Sequence, residues 1–216
     1  MIQELLQLEG VTPKMAEQLE NQGVKTLDEL EKRLKSGQIK NKQLESSLQK
    51  ISRKRFSLRL ATQISNPIIS RLRSTKFVKH AEFVGSVRRE KLHVANVNIL
   101  FACQHEYQDL IFQDVAKLGE VASRKSNMLT LLKKERDNVI SIEMRAVEEH
   151  EWIPALFYFT GSSPFIARIR EIAQANKVVF SSSLIKKEDQ VVECKSEEDI
   201  FKLLGEEYVS PYLRVS

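Results

Sequence analysis

The chain has 216 residues, long enough for one large domain or two to three small subdomains. At 42% hydrophobic and 29% charged it can bury a real core. The charged fraction predicts a soluble protein and the cysteine usage an intracellular one. No apolar run approaches the roughly 18 residues that would cross a bilayer, so no membrane partner is expected. Its net charge of +5 and pI near 9.1 favour polyanionic partners. The opening stretch MIQELLQLEG carries Glu4 and Glu9 but no basic segment, unlike a signal peptide. Cys103 and Cys194 lack CxxC spacing and read as buried, reduced thiols.

In chain order, LLQLEGVTPKMAEQLENQGVKTLDELEK predicts a helix, a turn at Gly10, a second helix, and a third after a Gly-x-x-Thr break. Thr12 is placed to cap the second helix, with Pro13 in its first turn. Thr26 followed by Glu29 has the form of a capping box. Residues 39–64 read as a basic helix that breaks at Asn66-Pro67. Between Lys32 and Lys79 the basic residues meet a single acid, Glu45, which reads as an electrostatic footprint for phosphates.

From Phe77 the period changes. Segments 94–102 and 138–147 predict strands, 128–132 another, and 104–120 a helix between them. The last third opens on an apolar run, breaks at Gly161-Ser162-Ser163-Pro164, and continues as a helix with Ser163 as its expected cap and Pro164 at its first position. A strand pair is expected around 178–192, then the acidic helix SEEDIFKLLG and the tail YVSPYLRVS. Mixed helices and strands of this kind indicate an α+β fold.

The stretch FVGSVRREKLHVANVNILFAC, Phe83–Cys103, carries the most chemistry. Its Gly-Ser-x-Arg-Arg turn and following strand resemble the palm opening of family X DNA polymerases, the polymerase beta-like group. GVTPKMAEQLENQGVKTLDEL is similar to the helix-hairpin-helix that precedes that palm, although an ordinary αα-hairpin would also fit. KISRKRF resembles the arginine-bearing segment after the fingers, YFTGSSPFIARIR the nucleotide-binding turn and helix, and SEEDIFKLLGEEYVSPYLR the C-terminal signature. Five ordered blocks over most of the chain carry this resemblance.

The resemblance implies a helix-hairpin-helix fingers subdomain over 1–57, a nucleotidyltransferase palm over 58–149 and an α+β thumb over 150–216. It implies that Gly10, Thr12 and Lys14 grip a DNA backbone, with Thr12 where a glycine is usual. Ser86 and Arg89 match residues that bind the incoming triphosphate, Gly85 supplies the tight turn, and Arg53 reaches the phosphates. Tyr158, Phe159 and Gly161 match the turn under the sugar, and Arg170 an arginine that checks the nascent base pair. The family's lyase domain would precede residue 1, so no lysine is assigned its chemistry.

The departures decide the functional expectation. Asn96 and Asn98 stand where the family has two metal-binding aspartates, and Glu143 at the third carboxylate position. Ala95 replaces the glycine beside the first ligand, while Ser163 and Ile166 replace two polar contacts to the nucleotide. Two magnesium ions need clustered anionic oxygens, and each amide removes one unit of attraction, worth several kcal/mol at a contact near ~2 Å even at an effective dielectric of about 20. Asn96, Asn98 and Glu143 are expected to hydrogen-bond one another. His93 and His105 lack zinc-ligand spacing.

The expectation is a catalytically silent, DNA-binding accessory or scaffold of replication or repair. Its partners would be gapped, primed or duplex DNA and a protein of that complex, and no cofactor is expected. Two alternatives stand beside it. One is an active repair polymerase with an atypical Mg²⁺ or Mn²⁺ site, and the other is a structural subunit that no longer binds DNA.

Overall fold

A computed structural model describes residues 12–24, 30, 33–34, 36–39, 41, 44, 55–135 and 138–214. The chain divides into two compact units, 1–55 and 56–216. The expected palm and thumb both lie within the second. Gly10, the Thr26–Glu29 capping box and Arg53 lie outside the described residues.

In the first unit, α1 (Pro13–Asn21) begins as its sequence dictates. Thr12 is extended, and its hydroxyl accepts from the Met15 N–H at 3.3 Å. Pro13 sits in the first turn, where a missing N–H costs nothing. Ala16 and Leu19, three residues apart on one helical face, are buried with Val24, Leu30, Leu34 and Leu44.

The second unit is α+β. Its main sheet runs β2 (Val78–Val84), β4 (Asn96–Cys103), β7 (Asn138–Val147), β6 (Met128–Glu135), β5 (Glu120–Lys125). β4 and β7 are parallel and the other pairs antiparallel. Period-2 alternation sets the faces. Val97, Ile99 and Phe101 of β4 join Ile140, Ile142 and Met144 of β7 in one core, beneath α2 (Leu58–Ser74) and α4 (Gln108–Ala116). The opposite face is covered over Leu100 and Ala102 by α5 (Trp152–Thr160), through Trp152, Ala155 and Leu156. Trp152 also stacks on His80 at 5.0 Å. Farther along this face stand Asn96, Asn98, Glu143 and Arg145, all partly exposed.

The expected helix over 39–64 is interrupted earlier than predicted. Phe56–Ser57 form a short strand, β1, paired with β3 (His93–Val94). Ser57 then caps α2 by accepting from the Leu60 N–H. Conversely, α2 runs through Pro67. Proline inside a helix costs about 3 kcal/mol, whereas burying Ile64, Ile68, Ile69 and Leu72 contributes about 1.5–3 kcal/mol each. Pro67 and Gln63 also lie on the exposed side, so the carbonyl deprived of its donor faces water.

The predicted helix at 104–120 is shorter: a 3-10 turn (His105–Tyr107), then α4, with Glu120 already in β5. The expected strand pair near 178–192 is a three-stranded sheet of β8 (Val178–Phe180), β9 (Ile185–Lys187) and β10 (Gln190–Val191). Glu188 and Asp189 both take positive φ between β9 and β10, as a two-residue hairpin of the favoured twist requires. α6 (Ser163–Ala175) is capped by Ser162 rather than Ser163. The Ser162 hydroxyl accepts from Phe165 N–H, and Pro164 takes a position whose N–H has no intrahelical acceptor anyway.

These strands pack with α6 and α7 (Glu197–Leu204) around Phe157, whose ring meets Phe180 and Phe201 edge-on. Both cysteines are buried and free. Burial pushes the Cys103 thiol up to about 11, which keeps it protonated at neutral pH.

Candidate functional site

The turn after β2 is built by Gly85. Its φ of +63° suits glycine, and a Cβ there would lie 3.0 Å from Asn98 Nδ2 and 3.8 Å from the Phe159 carbonyl oxygen. The turn is thereby pressed between β4 and the end of α5. It continues as one helical turn, α3 (Gly85–Arg88), with Ser86 half-buried.

The two arginines that follow have different partners. Arg89 donates from Nη1 to the Thr160 carbonyl at 2.6 Å, while its Nε is buried without an acceptor. Burial lowers its pKa. Arg88 turns the other way. It donates to Thr160 Oγ1 at 2.7 Å and forks onto Glu197 of α7 at 2.9 and 2.7 Å. Glu197 also receives Arg214 Nη1 at 2.6 Å.

Arg214 is wholly buried, with its guanidinium against Phe157, Phe165, Phe201 and Tyr208 and its Nε donating to the Val209 carbonyl. Burial alone would raise the Glu197 pKa, but hydrogen bonds and charge from the two arginines outweigh it and hold the carboxyl below its usual range. Sequence reasoning assigned Arg89 to phosphates and gave Arg88 and Glu197 no role. The tandem arginines and the C-terminal Arg-bearing signature were the only signals.

On β4, the Asn96 amide donates to Asn98 Oδ1 at 3.1 Å. Glu143 stands opposite Asn98 in the parallel register. Contrary to the expectation of a three-way hydrogen-bonded cluster, its carboxylate pairs with Arg145, 3.4 Å away. The reason is period 2: residues 143 and 145 share one face of β7, and a charged donor outcompetes a neutral amide. The Arg145 guanidinium also lies 4.8 Å above the Phe159 ring and 3.2 Å from Met128 Sδ. Val84, Asn98, Leu100, Glu143, Arg145 and Phe159 line one small cavity of about 50 Å³.

The structure thus gathers Gly85, Ser86, Arg89, Asn96, Asn98, Glu143 and Phe159 around the end of α5. Tyr158 and Phe159 lie in the helix rather than in a turn, because the apolar run continues to Thr160, and Gly161 ends it. A Cβ on Gly161 would come within 2.7–2.8 Å of Ile166 and Phe165 side-chain atoms. Ile166 is core. Arg170 is held by Tyr158, donating to its hydroxyl at 2.6 Å with the guanidinium 5.2 Å from the ring. Thr12 and Lys14 are exposed on the first unit.

The basic block, whose single acid along the chain is Glu45, reads differently in space: Arg71 pairs with Asp114 at 2.5 Å and Arg73 with Glu82 at 2.9 Å. Among the described residues no group of three His, Cys, Asp or Glu side chains is placed to hold a metal ion. Two mutually bonded amides and one carboxylate facing a guanidinium do not fit a pair of divalent cations. No helix among the described residues is long and apolar enough to cross a membrane.

Residues 155–215 match the family model described as DNA polymerase beta thumb. That stretch holds most of α5, α6, the three-stranded sheet, α7 and Arg214. No curated protein matches the chain. The thumb match supports a family X polymerase-like relationship for this protein.

Proposed function

We propose that this chain is a family X polymerase-like, DNA-binding protein that does not transfer nucleotides and acts as an accessory or scaffold in replication or repair. We assign fingers to 1–57, palm to 58–149 and thumb to 150–216. The observation that carries the reading is the pairing inside the cleft: Asn96 with Asn98, and Glu143 with Arg145. Nucleotidyl transfer by two metal ions needs free anionic oxygens at those positions. Here the one carboxylate is already compensated by the chain itself.

DNA binding is supported by the thumb match and by the net charge of +5. In this reading Gly10, Thr12 and Lys14 hold one stretch of backbone. Ser86, Arg89 and Arg170 hold phosphates or a DNA end, with Gly85, Tyr158, Phe159 and Gly161 shaping that side. A protein partner of the same complex completes the assignment. No cofactor is assigned.

Titration of a primed, one-nucleotide-gapped duplex, followed by anisotropy across a salt series, tests the reading. The affinity is expected to fall linearly on a log–log plot against salt, as phosphate contacts demand. Negligible affinity at every salt concentration would instead favour a structural subunit without DNA binding.

One observation favours a second reading. Glu143 lies in register with Asn98, where a metal-binding carboxylate would be needed for an active polymerase using Mg²⁺ or Mn²⁺. Primer extension that depends on Glu143 would establish it.

A further inference from the structure

The disagreement between this donor set and divalent cations has a positive side. The two guanidiniums of the cleft are anchored by consecutive residues at the end of α5, Arg145 by the Phe159 ring and Arg89 by the Thr160 carbonyl. Gly85 presses the intervening turn against Asn98 and the Phe159 carbonyl. Beside them one fixed cation, Arg145, meets a single carboxylate, Glu143, next to two neutral amides. A site with three carboxylates would repel phosphate until metal ions arrived.

Donors are also in surplus. Arg145 uses Nη2 for Glu143 and Met128, and among the described residues its Nε and Nη1 make no hydrogen bond. Arg89 Nε, by contrast, is buried and takes no part in this surplus. The contact between Glu143 and Arg145 is long at 3.4 Å, with both side chains about one-third exposed. An incoming anion can therefore compete for the guanidinium.

We infer that Arg145 takes the electrostatic place of the metal ions, making this cleft a phosphate-binding site that works without divalent cations. The inference rests on the DNA-binding reading above and names the chemistry of the ligand: a phosphate group, carried by a free nucleoside triphosphate or by DNA. Arg145 supplies charge and planar donors, which suit phosphate oxygens. Ser86 follows Gly85 in the turn that abuts Asn98. Added Mg²⁺ lowers the charge of a triphosphate and gains no ligands in the cleft, so it does not strengthen binding.

The test titrates the full chain with dATP by calorimetry, in EDTA and in Mg²⁺, and with the gapped duplex by anisotropy under the same two conditions. dATP is expected to bind in EDTA, with Mg²⁺ leaving its affinity equal or lower. Arg145→Gln is expected to lose at least about tenfold, since a charged hydrogen-bond partner is removed. Glu143→Gln is expected to bind more tightly, because it releases Arg145. Opposite signs for two neighbouring substitutions cannot come from a general loss of fold.

dATP binding only in Mg²⁺ would overturn the inference, yet leave the DNA-binding reading intact if the duplex still binds in EDTA. If dATP does not bind but the duplex does, the same tenfold loss for Arg145→Gln on the duplex supports the proposal, and an unchanged affinity overturns it. Absence of duplex binding under both conditions would overturn the DNA-binding reading itself.

Discussion

Glu197 shows how a charge that reads as surface becomes structural. Its side chain is 7% exposed and accepts from both Arg88 and Arg214. Removing one member of such a buried group leaves the others uncompensated, at a cost of about 3–5 kcal/mol. Glu197→Gln should therefore lower stability by an amount near that range in urea denaturation. The effect should depend on pH. The folded state holds Glu197 below the usual glutamate pKa of about 4.3, so its contribution is complete above that value. It is lost as pH falls through the lowered folded value, and the gap between wild type and Glu197→Gln should narrow in acid. Little in the sequence announced this: SEEDIF looks like a solvated acidic helix start, and only the tertiary fold brings Arg88 and Arg214 to it. By contrast, Asn96 and Asn98 could be read as a pair two residues apart on a strand. The Glu143–Arg145 pairing was legible by the same rule, had the strand's face been considered.

Among the elements, β7 was legible because its burial alternates along the chain, and β4 because it alternates to Asn98 and then runs buried through Cys103, with large or β-branched apolar residues in both. β5 was not. Its sequence EVASRK is almost wholly exposed, so no period marks it as a strand, and pairing with β6 creates it. The helix α2 was misjudged at both ends for one reason: local signals at Phe56 and Pro67 were read without the core that decides between them. Pro67→Ala should stabilise the protein by about 1 kcal/mol or more, because it restores an N–H to the Gln63 carbonyl on an exposed face and strains nothing. Thermal unfolding of the variant measures it, and an unchanged or lowered Tm would show that the helix has already adapted to the ring.

For the whole molecule, the described cores fall cleanly into two sets. Ala16 to Leu44 form one, and every other buried cluster is built from residues 56 to 204. A fragment spanning 56–216 should accordingly fold alone, with a single cooperative transition close to that of the same region in the full chain. The α+β class was readable from alternating periods, and the thumb from its ordered blocks, which now have a matching family model over 155–215. The charge balance was less readable. A basic run that meets only Glu45 along the chain is partly neutralised by Asp114 and Glu82 once the sheet folds. Of the described residues in that run, Arg71 and Arg73 are thereby paired rather than free.

The central claim is that this fold holds DNA without extending it. The most direct measurement is primer extension on a gapped duplex, with dNTPs and either Mg²⁺ or Mn²⁺, at protein concentrations that saturate binding. No extension above the Glu143→Ala control is predicted with either metal. Extension by the natural chain that disappears in Glu143→Ala would contradict the account and make this an active polymerase.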